Sequence, residues 1–277
     1  MKFSRKIYKS PAQLAAMVEP GRVTAIGLEA AVAAVRPGAT TLDIDTAASD
    51  AIIAAGGQSN FKLVPGYRHT ICASVNDELV HGIPGGRVLE PGDLLKIDCG
   101  AIVDGWNGDS AVSVIVPGGS GDVVEIREEL SRVTRESLWH GIAALASAKY
   151  LGEVGAAIEE YVTSQGEYGI IEDFVGHGIG QNMHEDPPVF NYRTSTKGPA
   201  VKPGLCIAIE PMLVTGAIDT HTLADEWTIV TNDGGQACQW EHSVAVHSRG
   251  IWVLTAFDGG ASELARFGIT PVPIPPK

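Results

Sequence analysis

The sequence predicts an α+β fold in which a sheet carries paired helices, built as two related halves about a pseudo-twofold axis. Three observations predict it. Two stretches place the same chemistry in the same order: His81-Gly-Ile-Pro84, Pro91-Gly92, Ile97-Asp98 and Asp109 in one, and His184-Glu-Asp-Pro187, Pro203-Gly204, Ile209-Glu210 and Glu241 in the other. The upstream segments repeat as well, since Arg22-Val-Thr24 recurs as Arg132-Val-Thr134, and Ile44, Ala48 and Ile52 recur at the same offset as Val154, Ile158 and Val162. Each half then reads as helix, helix and strands, so the chain is one duplicated unit closed on itself. At 277 residues it can bury a sizeable core. The repeat favours a single domain over 10–258, with an N-terminal arm at 1–9 and a Pro-rich tail at 259–277.

The elements follow in order. Ser10 before Pro11 is an N-cap with proline at the first helical position, opening an Ala-rich amphipathic segment that runs to about Val35. Pro20-Gly21 should kink or split it. Pro37-Gly38 closes it, Thr41 caps a second helix, and Gly56-Gly57 ends that one. Ranges 71–75, 94–103 and 110–116 alternate or run apolar with β-branched residues, and Asp104-Gly105 is a turn signal between the last two. Ranges 205–214, 227–231 and 241–246 play the same part in the second half, with Asn232-Asp-Gly-Gly235 as the turn. The ending, Ile269-Thr-Pro-Val-Pro-Ile-Pro-Pro276, reads as an extended or disordered tail, with a polyproline docking peptide as the alternative.

A net charge of −13 argues against a broad nucleic-acid-binding face. Lys2, Arg5, Lys6 and Lys9 form the one dense basic run, which reads as a solvated arm, with a local contact to ribosomal RNA as the alternative. Cys72, Cys99, Cys206 and Cys238 show neither a zinc-knuckle nor a disulfide-framework spacing, which fits a reducing cytosol. No apolar run approaches a membrane span, and the start lacks the apolar core of a signal peptide.

Asp98 lies inside Leu94-Leu-Lys-Ile-Asp-Cys, Glu210 inside Leu205-Cys-Ile-Ala-Ile-Glu, and Glu241 leads from Trp240 into another apolar strand. An ionised carboxylate on a buried strand costs several kcal/mol unless something positive faces it. Singly, each fits an ion pair with arginine. Jointly they do not, because few basic residues lie in these strands. With Asp109, and with His177 in Gly176-His-Gly-Ile-Gly180, four carboxylates and an imidazole converging on one centre require cations between them, which points to a two-metal hydrolytic site. Such an oxygen-rich set with one histidine suits manganese, iron or cobalt at least as well as zinc. His81 and His184 remain as acids or hydrogen-bond donors; either alone would pass for a satisfied loop histidine, but their matched His-x-x-Pro settings argue otherwise. The glycines around His177 match no nucleotide-loop signature and suit close backbone approach. Phe61, Tyr67, Cys72, Met183 and Trp227 flank the polar candidates and either line an apolar pocket or serve as core.

Taken in order, Cys72-x-Ser-x-Asn76 with His81-Gly-Ile-Pro84, Asp98 with Asp109, Gly176-His-Gly-Ile-Gly180 with His184-Glu-x-Pro187, Glu210-Pro211, and Trp240-Glu241-His242 resemble the type I methionine aminopeptidases in their short bacterial form, without an N-terminal zinc-finger extension. The resemblance runs from about Ser10 to about Leu254. It implies the creatinase-like pita-bread fold and two divalent metal ions (cobalt, manganese, iron or zinc). Asp98 would chelate one ion, His177 and Glu210 the other, and Asp109 and Glu241 would bridge. Glu210 would also be the general base, His184 would donate to the substrate carbonyl as it becomes an oxyanion, and His81 would hydrogen-bond the scissile amide. Tyr67, Cys72 and Trp227 match the family's positions around the methionine side chain. The partners it implies are nascent polypeptides with an N-terminal methionine and, transiently, the ribosome, met by a cytoplasmic monomer with no membrane association.

Two residues depart from the family pattern: Gly100 stands where many relatives carry threonine beside the metals, and Met183 where an aromatic is common. The runner-up enzyme is an X-Pro aminopeptidase or prolidase, which shares the fold and ligand types but usually carries a separate N-terminal domain, for which only about eighty residues precede His81. A third reading, a non-catalytic pita-bread binding protein, would be marked by lost ligands, and all five are here.

Overall fold

The computed structural model describes residues 7–276, so Lys2, Arg5 and Lys6 of the basic run lie outside the described residues. Ser10 caps the first helix, Pro11–Ala16, in a reciprocal capping box with Gln13. The second helix, Val18–Ala34, begins after a break at Met17 and not at Pro20-Gly21. The proline still explains the break. A proline ring clashes with the carbonyl four residues upstream, here Ala16, so the interruption falls in the preceding turn while Pro20 sits harmlessly in the first turn of the new helix. The cap of Thr41–Ala54 is Thr40, paired with Asp43 in another capping box. Thr41, expected to cap, instead exchanges hydrogen bonds with the backbone of Gly85, tying the helix to the segment that follows His81.

These helices pack on a four-stranded antiparallel sheet whose spine is the hairpin of Leu94–Val103 and Trp106–Ile115. Asp104 and Gly105 both take positive φ, so the two-residue turn matches the strand twist. Ile71–Val75 and Gln58–Ser59 pair along the other edge of Leu94–Val103. Ile44, Ala48 and Ile52 are fully buried in the core between the helices and this sheet.

In the second half, Asp122–Leu145 and Gly152–Gln165 cover a five-stranded sheet ordered Gly250–Val253, His242–His247, Cys206–Ile209, Gly176–Gly178, Glu185–Val189. Val154, Ile158 and Val162 are buried there as their counterparts are in the first half. The repeat extends to side-chain chemistry: Arg22 pairs with Glu19 and Arg132 with Glu129, while the hydroxyls of Thr24 and Thr134 donate to the carbonyls of Pro20 and Leu130. The strand expected over 205–214 is two strands, Cys206–Ile209 and Met212–Val214, because Pro211 lacks the amide that would continue the ladder.

The two sheets meet at a backbone pair, with Glu241 N–H donating to Ala111 O at 2.9 Å and Ala111 N–H to Glu241 O at 3.3 Å. Ser110 Oγ donates to Glu241 O and Ser243 Oγ to Asp109 O, a reciprocal clasp across the halves.

At the C-terminal end, the helical turn Ala261–Leu264 is followed by an extended segment in which Val272 N–H donates to Ile251 O and Arg249 donates to Pro273 O. Lys9 is buried and ion-paired with Glu185 at 3.1 Å, not solvated.

Candidate active site

The hairpin register sets the first two carboxylates. Asp98 faces Ala111 and Asp109 faces Gly100, so both side chains leave the same face of the sheet. The join at Ala111 brings Glu241 alongside them. Glu210 directly follows the neighbouring strand, Cys206–Ile209, and His177 sits on the next one over, Gly176–Gly178. All five predicted ligands therefore gather at the seam between the halves. Donor atoms of Asp98, Asp109 and Glu241 lie within 4.8 Å of one another, as do those of His177, Glu210 and Glu241, and those of Asp109, His177 and His184. Glu241 belongs to the first two sets and Asp109 to the first and third.

This arrangement is costly by itself. Burial and then the neighbouring negative charges push the carboxyls of Asp109 and Glu241 well above the usual range; Glu210 is raised in the same way, and Asp98 is raised by burial. Asp98 Oδ1, Asp109 Oδ1 and Glu241 Oε1 are buried with no hydrogen-bond partner among the described residues. His177 Nδ1 lies 3.0 Å from Gly178 O, which can only accept, so Nδ1 carries the proton and Nε2 presents its lone pair. That lone pair points at Glu210 Oε1, 3.5 Å away. Burial holds the imidazole neutral, with its pKa lowered to about 4. A lone pair facing a carboxylate, beside three orphaned carboxylate oxygens, fits divalent cations among these groups.

A cavity of about 640 Å³ opens onto the cluster, and every one of the sequence-predicted site residues lines it. Phe61, Tyr67 and Cys72 form a compact apolar wall with Val64, Met183 and Trp227 against it. The Tyr67 and Trp227 rings lie 5.0 Å apart, and Tyr67 Oη is anchored on Ile71 O at 2.7 Å. His184 is exposed at the mouth, its ring 4.4 Å from that of His177 and edge-on to it. His81 is half-buried in the left-handed region at φ 60°, its ring edge-on to Phe174. A non-glycine residue there is strained, and such strain is typical of positions where a side chain must be aimed. Desolvation by the surrounding protein lowers the pKa of His81 and, on the side that faces the cavity, of His184, which favours neutral imidazoles with one N–H to give.

The glycines of Gly176-His-Gly-Ile-Gly180 are demanded by close approach. A Cβ on Gly176 would collide with the carbonyl oxygen of Ala208, and one on Gly178 with that of Asp186. Gly100 has a comparable reason: the Asn60 side-chain amide fills the space where a larger residue would sit. Gln239 lies outside the set that the sequence points to. Its Nε2 donates to Glu210 Oε2 at 3.3 Å, and Asn191 Nδ2 donates to Glu210 O at 3.0 Å. A buried amide two residues before Glu241 on an apolar strand is the signal that could have found Gln239; for Asn191 there is none. Val64, Phe174 and Met212, also on the cavity wall, carry only the pattern of core residues.

Residues 15–248 match metallopeptidase family M24. Methionine aminopeptidase 1 of Bacillus subtilis is 41% identical over 249 residues, which cover 90% of this chain and 98% of that protein. The crystal structure of methionine aminopeptidase from Thermotoga maritima superposes with a TM-score of 0.84 at 36% identity, covering 90% of this chain and 98% of that one. The prolidase from Pyrococcus furiosus shares the fold at 18% identity and a TM-score of 0.67, with only 65% of its length covered.

Proposed function

The chain belongs to metallopeptidase family M24, and we propose that it is a pita-bread methionine aminopeptidase that removes the N-terminal methionine of proteins with a small second residue. The observation that carries this reading is the junction of two unlike surfaces in one cavity: buried carboxylates with orphaned oxygens, and an apolar wall of Phe61, Tyr67, Cys72, Met183 and Trp227 beside them. A substrate with an apolar side chain and a hydrolysable bond next to it uses both, and the soft wall with Met183 suits the flexible methionine side chain.

In this reading Asp98 would hold one divalent ion and His177 and Glu210 another, with Asp109 and Glu241 serving both. Cobalt, manganese, iron or zinc bound there would supply Lewis acidity to the scissile carbonyl and to the attacking water. The methionine side chain packs against the wall that Tyr67 and Trp227 form in contact with each other, which fixes the first residue and leaves its α-amine facing the carboxylate cluster. Glu210 takes the proton of the attacking water, helped by Gln239 and Asn191, which fix its orientation. His184 donates its N–H to the carbonyl oxygen as negative charge develops on it, and His81 hydrogen-bonds the scissile amide. The second residue is pressed between His81 and the cluster, so Gly, Ala, Ser or Pro fits where Leu, Lys or Glu would push the carbonyl out of line.

The reading extends to a cytoplasmic monomer that meets nascent polypeptides and contacts the ribosome transiently. All four cysteines are free, as a reducing compartment allows. No described helix is long and apolar enough to cross a membrane.

The test is to strip the protein with chelator, restore one divalent metal at a time, and follow release of the first residue from Met-Ala-Ser and Ala-Pro peptides. Loss on stripping, recovery on loading and preference for Met-Ala-Ser are expected. Preference for Ala-Pro would favour the X-Pro aminopeptidase or prolidase reading, and no turnover with any metal would favour a non-catalytic binding protein.

A further inference from the structure

The loop over 180–185 carries Met183 into the pocket wall and His184 to the mouth of the cavity, yet only short backbone contacts hold it from within. Two braces reach it from outside, and one of them comes from the far end of the chain. Lys9 Nζ donates to Glu185 Oε2 at 3.1 Å, and the lysine side chain is only 6% exposed. Glu185 Oε1 accepts from Asn182 N–H at 3.1 Å, so one carboxylate joins the arm to the turn that presents Met183 and His184. Lys9 is fixed in its own right: its backbone N–H donates to Gly204 O at 2.7 Å, and Tyr8 beside it bridges to Leu205. Gly180, the last glycine of the His177 motif, faces this pair. A Cβ there would lie 2.6 Å from both Glu185 Oε1 and Lys9 Cε, so the motif keeps a glycine where the ion pair needs room. Asn107 is the other brace: its backbone N–H donates to Gly180 O at 2.9 Å and its side-chain amide to Gly180 O at 3.0 Å and Gln181 O at 3.1 Å, so it holds the 180–181 end while Lys9 holds the Glu185 end.

We propose that Lys9 and Glu185 are positioning residues: their ion pair latches the 180–185 loop and so sets where Met183 and His184 meet the substrate. Lys9 stands behind the cavity wall and not on it, so its influence passes through Glu185. Removing one partner of a buried pair strands the other charge, so loss of Lys9 should release Glu185, and with it the Asn182 N–H that the same carboxylate accepts. The link to catalysis rests on the methionine aminopeptidase reading; the latch itself does not.

The experiment has two arms on the full-length, metal-loaded protein. Hydrogen exchange reads the latch without reference to peptidase activity: Lys9→Met, which keeps the length and removes the charge, should speed exchange at the amides of Gly180 and Asn182 while the strand Cys206–Ile209 stays protected. Steady-state kinetics reads the consequence: kcat/KM for Met-Ala-Ser should fall on the order of 10- to 100-fold, shared between kcat through His184 and KM through Met183, since small misplacement of reacting groups has effects of that size. Metal content should stay at the wild-type level. Lys9→Arg should retain most activity, and Lys9→Met combined with Glu185→Gln should be no worse than the worse single variant. Should Lys9→Met fold poorly, Glu185→Gln breaks the same pair from the more exposed side. Unchanged exchange at 180–182 in either variant overturns the latch. Faster exchange with kcat/KM within twofold of wild type overturns its role in positioning, and a wild-type protein inert on Met-Ala-Ser overturns the peptidase reading while leaving the latch standing.

Discussion

The two halves of this molecule are alike where they build scaffold and unlike where they meet substrate. Both use a Glu-x-x-Arg-Val-Thr helix with the same ion pair and the same threonine bond, and both bury the same three-residue stripe on the following helix. The strands diverge. The first half delivers Asp98 and Asp109 from a hairpin of two unbroken ten-residue strands whose register alone places both. The second half delivers Glu210 from just past a strand that Pro211 keeps from continuing, His177 from a three-residue strand among glycines, and Glu241 from just before a third. Regular pairing suits two groups that must hold still at fixed spacing. Broken strands free loops to carry side chains such as Met183 and His184 to a ligand.

The comparison breaks first, and most severely, at the seam. Asp109 and Glu241 are the counterpart carboxylates from the two halves, and each is proposed to touch both ions. Asp109→Ala and Glu241→Ala should therefore be equally damaging, each lowering turnover by more than the roughly 10²–10³-fold seen for loss of a single stabilising donor. Metal analysis after desalting should show both variants depleted. A variant that keeps its metals and most of its activity would show that its carboxylate does not bridge.

The next test asks whether the matched histidines do matched work. His184→Ala and His81→Ala should each lower turnover by roughly 10²–10⁴-fold while metal content stays near wild type, because both act on the substrate. His184 also has a donor atom near those of Asp109 and His177, so metal loss in His184→Ala alone would reassign it as a ligand and sharpen the asymmetry between the halves.

Specificity is a smaller effect and belongs to a wall shared by both halves, since Tyr67 comes from the first and Trp227 from the second. Trp227→Ala should weaken discrimination between Met-X-Ser and Leu-X-Ser peptides by about 1–3 kcal/mol in kcat/KM. The ranking at the second residue should stay as it is. Equal rates for Met-Ala and Met-Lys substrates in the wild-type protein would contradict the tight second subsite.

Much of the fold and of the site is legible in the sequence, for a physical reason. Helix caps, tight turns and buried stripes are local, so Ser10-Pro11, Asp104-Gly105 and Ile44-Ala48-Ile52 announce themselves. The gathering of Asp98, Asp109, His177, Glu210 and Glu241 can be inferred because charges on apolar strands need partners, and few cations are at hand. What escapes is long-range. Thr41 abandons its cap for Gly85, Gln239 and Asn191 orient Glu210 from other segments, and Lys9 reaches Glu185 across 176 residues. None of these partners is near in sequence, and a polar residue in a strand or an arm has many possible partners until the fold selects one.

The finest test lies in the scaffold, where the halves look most alike. Thr24 and Thr134 occupy equivalent positions, are fully buried, and donate to the carbonyl four residues back. Only Thr24 bonds a second backbone group, for its Oγ1 accepts the amide of Ala101 at 3.1 Å and so ties the helix to the strand that carries Asp98. Thr→Val keeps the shape and removes the hydroxyl. At position 134 the change loses one local bond whose carbonyl partner still has its helical donor, so the cost should be about 0.5–1.5 kcal/mol. At position 24 it also strands a buried amide, which adds an unsatisfied-donor penalty of about 1–3 kcal/mol. Denaturant unfolding of the two variants should therefore separate by at least about 1 kcal/mol, with Thr24→Val the weaker. Equal midpoints would mean that the amide of Ala101 finds another acceptor, and that the scaffold halves are interchangeable even where their hydrogen bonds differ.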